Sequence, residues 1–415
     1  MRSAIVCQCL GTVANKTSEN GLLMLYMTAL AVSPGRILLY LSLFSLTASA
    51  MTLTASYFAD RTGIKPLGLR GIGIIAVALF GMALAGFAPA AWAAPLVGAG
   101  IILFALGGSL FGGGWFGLLH GLVPAGMRGR FVGRLRLSTR TTNLGAMLLL
   151  TILLHKDSPV FLFQAILATL AVLAIVRLVV YARIPDSSPP SDRHGGLVAA
   201  VSTLVRAPGF MRFLVYLLVL SLCTRNMNAL LLLLDKDILG FGDDLVVAMN
   251  IAFSVGAMAG LAVAGRAVDR YGTRPVLLFS HLAFAAVFAL VCLRGFFAPD
   301  LQVGLMALAH TLQGAILLGA GVAVTAEMLA LIPPEKKALA SGLHLAVLRL
   351  GIAMAGALSA WFLESGIVPS RGAGPAAGRA YDVLLVASGA VLLALVFLPR
   401  LLPSVRRHAS EAIGE

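Results

Sequence analysis

The sequence predicts an all-α membrane protein with twelve transmembrane helices, arranged as two pseudo-symmetric halves of six helices each. The first observation is composition: the 415 residues are 59% hydrophobic and only 12% charged, with a mean hydropathy of +0.96. A soluble protein of this length cannot bury so much apolar surface, since about 25% of the residues in soluble chains are charged. The second observation is an internal repeat at constant spacing, which indicates the duplication of one half.

The repeat is clearest in two polar segments that separate long apolar runs. The segment 60–66 returns as 269–275, and Asp, Arg, Gly, a basic residue and Pro recur in it at a spacing of 209 residues. A second set keeps the same spacing: Pro124, Arg128, Gly133 and Arg140 correspond to Pro333, Lys337, Gly342 and Arg349. Two motifs that share one offset indicate that the chain contains two copies of a single unit.

The apolar runs give the spans in chain order. A helix needs about 20 mostly apolar residues to cross the hydrocarbon core, and continuous runs satisfy their backbone groups there only as helices. Twelve runs qualify: 3–31, 36–58, 69–88, 95–121, 137–154, 159–181, 210–234, 245–267, 275–297, 301–331, 338–363 and 379–402. They form an N-terminal bundle (1–181) and a C-terminal bundle (210–402), followed by a tail (403–415). A linker (182–209) rich in Pro, Ser and Gly joins the bundles.

Loop charge predicts the orientation of the chain. Lys and Arg are concentrated in the loops after spans two, four, eight and ten, in the linker and in the tail, and the net charge is +14. The positive-inside rule therefore places both termini and the repeated motifs in the cytoplasm. The compact build, without large loops, predicts a bacterial inner membrane or a membrane derived from it. Because the basic residues set topology and form no basic domain, no nucleic-acid partner is expected.

Several function classes are disfavoured because the sequence lacks the motifs that they need. The four cysteines lie in or beside apolar runs, and no His or second Cys pair completes a metal site with them. The sequence shows no nucleophile–base constellation, so an enzyme is not expected and no cofactor is predicted. It also lacks a phosphate-binding loop, which indicates that ATP does not drive the protein.

The twelve spans, the duplication and the paired motif resemble the major facilitator superfamily, whose pattern between spans two and three is roughly G-x-x-x-D-R-x-G-R-R. The second half matches this pattern at Gly265, Asp269, Arg270, Gly272 and Arg274. The first half matches it at Asp60, Arg61, Gly63 and Lys65 and departs from it at Ser56 and Ile64. The resemblance covers nearly the whole chain and implies a transporter that works by alternating access.

The charged motif residues are interpreted as a gate between the halves. An Asp at the end of one helix can face the positive end of a neighbouring helix dipole, and the Arg beside it can pair with an acid. Glu327, near the cytoplasmic end of span ten, is the predicted partner of Arg270. The alternative is that these residues only fix topology and helix ends. Four further bases are assigned to the cytoplasmic mouth, where they line the opening or reach towards the headgroups: Arg128, Arg140, Lys337 and Arg349.

Charged residues inside the spans predict where the substrate binds. An ionisable residue at membrane depth is costly, so its presence there indicates a function. Lys16 lies about 13 residues into span one, roughly 20 Å deep at 1.5 Å per residue, with Glu19 and Asn20 close by. Arg225 and Asn228 occupy the repeat positions of Lys16 and Glu19 in span seven. Two bases facing one central cavity favour an anionic or carboxylate-bearing solute, similar to the organophosphate antiporters of the superfamily. Glu19 is the best candidate for a proton carrier; alternatively, it only neutralises Lys16.

Other polar residues and glycines are given structural roles. Asp235 is expected in solvent at the outer end of span seven, whereas His310 and Gln313 share a face of span ten and are expected to be satisfied buried polar groups. Small residues four positions apart let helix backbones approach closely. Such pairs are Gly108 with Gly112 and Gly256 with Gly260.

These features together predict secondary active transport of a small solute, with an anion favoured, driven by a proton or by an exchanged counter-solute. Three alternatives stay open: multidrug efflux by proton antiport, an iron or metal-chelate permease of the magnetosome type, and a non-transporting sensor or scaffold with the same fold. The expected partners are the small-molecule substrate, the proton or counter-solute, and the lipid bilayer.

Overall fold

The computed structural model describes residues 2–17, 21–122, 128–155, 158–185, 202, 209–331, 337–368 and 378–397. Within these ranges the chain is helical, with short turns between helices. The first half contains α1 (Arg2–Thr17), α2 (Leu23–Ala29), α3 (Pro34–Thr62), α4 (Ile64–Ala85), α5 (Ala90–Leu122), α6 (Arg128–Leu153) and α7 (Val160–Ala182). The second half contains α8 (Phe210–Thr224), α9 (Met227–Asp237), α10 (Asp243–Tyr271), α11 (Thr273–Cys292), α12 (Pro299–Leu331), α13 (Lys337–Glu364) and α14 (Arg379–Phe397). A short 3-10 helix (Leu293–Phe296) follows α11.

Helices occupy all twelve predicted span positions, so the all-α membrane fold is confirmed. Spans one and seven each consist of two helices, α1 with α2 and α8 with α9. In the described part of the chain, ten segments are long and apolar enough to cross a membrane. The other two positions are span one, whose pieces are short, and span five, whose first half is rich in arginine.

The packing of the helices repeats between the halves. In the first half, α1 lies against α6 and α7, α5 packs on α3 and α4, and α4 packs on α7. In the second half, the equivalent contacts join α8 with α13 and α14, α12 with α10 and α11, and α11 with α14. The pairs correspond span by span, so the duplication of sequence is also a duplication of structure.

Two seams join the halves: α3 packs on α13, and α6 packs on α10. In span numbers these are the pairs two with eleven and five with eight, which the pseudo-two-fold relation exchanges. One large cluster of buried apolar side chains runs through both halves, and a smaller one lies among α1, α4, α5, α6 and α7. The contacts between the halves are therefore concentrated on a few helices.

The glycine of each repeated motif is required by a tight turn. Gly63 (φ 88°) links α3 to α4, and Gly272 (φ 84°) links α10 to α11. A positive φ of this size disfavours residues that carry a Cβ atom, whereas glycine adopts it readily. We call the end of the bundle that carries these two turns the motif end and the other end the opposite end.

Irregular backbone in spans one and seven directs attention to the middle of the bundle. Span seven is interrupted at Arg225 and Asn226, and in span one Gly21 has a φ of 91° just before α2. Helix ends leave backbone N–H and C=O groups without partners inside the helix. At membrane depth such irregular backbone is tolerated where it is buried in protein or lines a cavity, and transporters place their binding sites at such breaks.

Candidate functional site

A central cavity of about 380 Å³ lies between the halves. Its walls come from α2, α3 and α5 of the first half and from α9 and α13 of the second. Most of the wall is apolar, with Phe44 and Phe104 on one side and Leu232 on the other. The polar groups concentrate at the break in span seven and on α13, so the cavity has an apolar body with a few convergent polar groups, as ligand sites usually do.

Arg225 stands at the break in span seven and contributes to the cavity wall. Its backbone N–H still donates to the carbonyl of Ser221 at 3.0 Å, which ends α8. The guanidinium reaches towards α12: a Cβ atom built on Gly321 would lie 3.6 Å from Arg225 Nη2. Gly321 of α12 therefore lies within van der Waals reach of this guanidinium.

Two asparagines next to Arg225 offer hydrogen-bonding groups to the cavity. Asn226 is buried, and within the described residues its Nδ2 has no hydrogen-bond partner. Asn228 donates to Asn250 Oδ1 at 3.4 Å, while its own Oδ1 has no partner in the same part of the chain. Buried polar groups are normally paired, so a free donor and a free acceptor at a cavity wall suit a polar ligand.

Arg349 also lines this cavity, and here the structure corrects the sequence interpretation. The sequence placed Arg349 at the mouth or among the headgroups, together with its repeat equivalent Arg140. In the structure Arg349 Nη1 donates to Thr52 Oγ1 at 2.8 Å and to the carbonyl of Ala48 at 3.3 Å, which bridges α13 to α3. Arg140 is exposed on α6. The packing of α13 on α3 holds Arg349 inside, whereas Arg140 has no such cover.

Other predicted residues of the centre and the mouth lie partly or wholly outside the described residues. Lys16 belongs to the last turn of α1, but its side chain is not among those described, and Glu19 and Asn20 fall in the gap after α1. Arg128 and Lys337 begin α6 and α13, and their side chains also lie outside the described part. The described centre therefore brings together Arg225, Asn228 and Arg349, while the pairing of Lys16 with Arg225 stays a prediction.

The predicted gate residues lie around the motif turns. The side chains of Asp60 and Arg61 lie outside the described part, and Lys65 is half-buried in the first turn of α4. In the second half Gly265 is half-buried on α10, and Asp269, Arg270 and Arg274 are exposed. The Arg270 Cζ atom lies 5.4 Å from the centre of the Tyr271 ring.

In the described structure Glu327 is hydrogen-bonded to Thr273, whereas the predicted partner was Arg270. It is fully buried on α12 and accepts a 2.6 Å hydrogen bond from the hydroxyl of Thr273, the first residue of α11. The sequence named Arg270 as its partner. A carboxylate at this position faces the positive N-terminal end of α11, which stabilises the negative charge.

A buried acid–base pair, Asp235 with His310, was not foreseen. His310 Nε2 lies 2.8 Å from Asp235 Oδ2, and both side chains are 0% exposed. The sequence interpretation of Asp235 as a solvated residue is therefore wrong. The chain folds back after α9 through Gly240 (φ 66°), with the Phe241 N–H bonded to the Asp235 carbonyl at 3.0 Å, and this turn helps to cover the carboxylate.

This pair lies next to contacts that join the halves. Lys236 pairs with Asp243 at 2.8 Å, and Asp243 Oδ2 accepts a 3.1 Å hydrogen bond from the backbone N–H of Ser158 in the first half. At the same end, the Ser33 hydroxyl of α3's N-terminus donates to the Glu364 carboxylate of α13. These contacts hold the two halves together at the opposite end.

Comparison with known proteins agrees with this architecture. The family described as MFS/sugar transport protein matches residues 108–399. The crystal structure of the nucleoside transporter NupG has a TM-score of 0.69 at 17% identity, and the match covers 95% of this chain and 96% of that one. The D-xylose-proton symporter gives a TM-score of 0.71 at 15% identity, with coverage of 94% and 95%. A POT family transporter in complex with 5-aminolevulinic acid gives 0.73 at 13% identity, with coverage of 96% of each chain. No curated protein sequence matches the chain.

Proposed function

The chain belongs to the major facilitator superfamily, within the MFS/sugar transport protein family, and on that premise we propose that it carries a small anionic solute through the central cavity by alternating access. The observation that carries the proposal is the pair of arginines, Arg225 and Arg349, on a cavity whose described lining contains no carboxylate. A guanidinium at membrane depth is costly and normally pairs with an anion or faces a functional cavity.

The chemistry of the cavity favours a carboxylate or a phosphate. A guanidinium keeps its charge at any physiological pH and can bond either group in a bidentate way. The free donor of Asn226 and the free acceptor of Asn228 would orient a hydroxyl or carbonyl elsewhere on the solute. Among the structural relatives, one is in complex with 5-aminolevulinic acid, which is a carboxylic acid.

The same charges weigh against the main alternative. Cationic drugs would meet two like charges in the cavity, which disfavours multidrug efflux. An anionic metal chelate would fit the charge as well as a free acid does. A sensor or scaffold would need neither arginine at this depth. A ligand-binding experiment therefore distinguishes transport of an anion from these alternatives.

A thermal-shift panel tests the proposal. The purified protein is heated with phosphates, carboxylates, anionic metal chelates, neutral sugars and cationic amphiphiles. An anion at about 100 times its Kd should stabilise the fold by about 2.7 kcal/mol, because it binds only the folded state. Arg225→Met and Arg349→Met should each remove this stabilisation. Arg140→Met, the exposed repeat equivalent of Arg349, is the matched control and should retain it. Stabilisation by cationic amphiphiles alone would refute the anion proposal.

For energy coupling we infer that the Asp235–His310 pair carries the proton. The pair is fully buried, and in the described structure Asp235 Oδ1 and His310 Nδ1 have no hydrogen-bond partner. Breaking a buried pair by removing the charge of one member is costly, so a change of protonation favours a different conformation. Lys236, the residue after Asp235, forms an ion pair with Asp243, and Asp243 accepts a hydrogen bond from the backbone N–H of Ser158 in the first half. These contacts link the Asp235–His310 pair to the interface between the halves. Glu19 stays a second candidate from the sequence.

We also propose that the motif end faces the cytoplasm of a bacterial cell. The exposed arginines near Gly272, together with Arg406 and Arg407 of the tail, support this orientation through the positive-inside rule, which counts Lys and Arg. The bundles 1–181 and 210–402, joined by the linker 182–209, would then be the two moving bodies. A C-terminal alkaline phosphatase fusion should be inactive and a green fluorescent protein fusion bright; the reverse result would invert the topology.

A further inference from the structure

A second concave surface lies on the flank of the second half. It is a groove of about 830 Å³ among α10, α11 and α12, and it shares no lining residue with the central cavity. Small side chains make it deep, among them Gly260, Ala283, Ala286 and Ala315. The lining is apolar apart from the hydroxyls of Tyr271 and Ser280.

The groove is open to the surroundings of the protein. Val263 and Phe279, which line it, are 64% and 69% exposed. The one buried hydroxyl on the lining is satisfied, because Ser280 donates to the Val276 carbonyl at 2.8 Å. Since α10, α11 and α12 are transmembrane helices, this flank faces hydrocarbon, and only an apolar chain fits along it.

The motif end of the groove carries positive charge. Tyr271 and Pro275 line the groove there, and their chain neighbours Arg270 and Arg274 are exposed. Arg266 is exposed too and lies three residues after Val263, so it shares that face of α10. One acid, Asp269, accompanies the three arginines, which leaves the rim basic.

An apolar groove with a basic rim is complementary to an anionic phospholipid. We propose that the groove binds one acyl chain of such a lipid, while Arg266, Arg270 and Arg274 hold its phosphate. Basic pockets between transmembrane helices recognise anionic headgroups in this way. The site is independent of the solute cavity, so it stands whether or not the transported solute is an anion.

Native mass spectrometry of the intact protein tests this proposal. The protein is released from detergent in the presence of phosphatidylglycerol or phosphatidylcholine with the same acyl chains. We expect preferential retention of phosphatidylglycerol, with about a fivefold loss of affinity for each arginine changed to Gln at positions 266, 270 and 274. Arg212→Gln, an exposed arginine of α8 away from the groove, should change nothing.

A second variant separates the groove from surface charge alone. Ala283→Trp fills the groove and keeps all three arginines, and it should also abolish the preference. Ala387→Trp, at an exposed position of α14, controls for the added indole. Melting temperatures confirm that each variant is folded. Equal retention of both lipids, an unchanged preference in Ala283→Trp, or displacement of the lipid by inorganic phosphate alone would each overturn the proposal.

Discussion

Among single residues, Asp235 and His310 carry the most specific prediction about coupling. Asp235→Asn removes the acid from a buried 2.8 Å pair and leaves an amide of the same shape. If the pair carries the proton, this variant should lose uptake driven by a pH gradient but keep solute exchange, because exchange needs no net proton movement. The measurement is uptake into proteoliposomes, with and without an imposed pH gradient, of the anion that stabilises the protein.

The control is Asp300→Asn, which changes an exposed acid at the start of α12 on the same end of the bundle. It should transport normally in both assays. His310→Gln should resemble Asp235→Asn, since either change leaves a single titratable member. Gradient-driven uptake that survives in Asp235→Asn would assign the pair a purely structural role.

At this scale the sequence identified one cavity residue but did not predict the surroundings of two others. The repeat singled out Arg225 as the counterpart of Lys16, and Arg225 lines the cavity; its depth in a membrane stays a prediction. Arg349 and Asp235 were misplaced because their surroundings come from distant segments: Arg349 bonds to α3, and Asp235 is paired with a histidine 75 residues away. Arg177 was missed altogether, although it is a lone base in an apolar run. It is 1% exposed and lies 4.0 Å from the centre of the Phe111 ring.

Between elements, α10 and α12 pack closely where they cross. A Cβ atom on Gly256 would lie 1.8 Å from the carbonyl oxygen of Thr311, and one on Gly260 would lie 2.0 Å from that of Ala315. Gly256→Ala should therefore force the two helices apart and destabilise the protein by about 1–3 kcal/mol or more. A melting curve in detergent measures the loss.

Gly304→Ala provides the comparison, because it lies on α12 with open space around its position in the described structure. In an exposed helix, replacing glycine by alanine is neutral or stabilises by about 0.5–1 kcal/mol. An equal melting temperature for Gly256→Ala and the parent protein would show that the crossing can relax at little cost.

The spacing of glycines predicted this crossing and failed at another one. Gly256 and Gly260 are confirmed as points of close approach, but Gly108 and Gly112 face open space in the described structure. The tight contact of α5 is made by Gly107, whose carbonyl oxygen would lie 2.6 Å from a Cβ atom on Gly71. Spacing fixes which residues share a helix face, but it does not fix which neighbour that face meets. The break in span seven was not predicted, although the polar residues Thr224, Arg225 and Asn226 interrupt the apolar run there.

In the whole molecule, the seam of α3 with α13 joins the two halves along much of their length. The seam of α3 with α13 extends from Ser33 and Glu364 at the opposite end to Thr52 and Arg349 at the cavity. Ser49 adds a 2.7 Å bond to the Ala346 carbonyl next to the Thr52–Arg349 contact. Alternating access by rocking of the two bundles requires this seam to separate at the opposite end while each bundle stays intact.

Disulfide cross-linking distinguishes movement between the halves from movement within one. Ser42→Cys with Gly356→Cys would bridge α3 and α13, because a Cβ atom on Gly356 lies 3.1 Å from Ser42 Cβ, and a shift of a few tenths of an ångström brings the pair to the Cβ separation of a disulfide. The partly exposed Cys9 and Cys292 are first replaced by alanine. Oxidation of this pair should stop transport, and reduction should restore it, because the bridge holds the seam closed.

A matched cross-link inside the second half makes the comparison decisive. Ala285→Cys with Gly389→Cys would join α11 to α14, since a Cβ atom on Gly389 lies 3.9 Å from Ala285 Cβ. Both helices belong to one rocking body, so this bridge should leave transport largely intact in the oxidised state. If both bridges stopped transport, the second half would have to deform internally during the cycle. If neither did, the seam of α3 with α13 would not be a moving contact, and the solute would have to pass without separation of the halves along it.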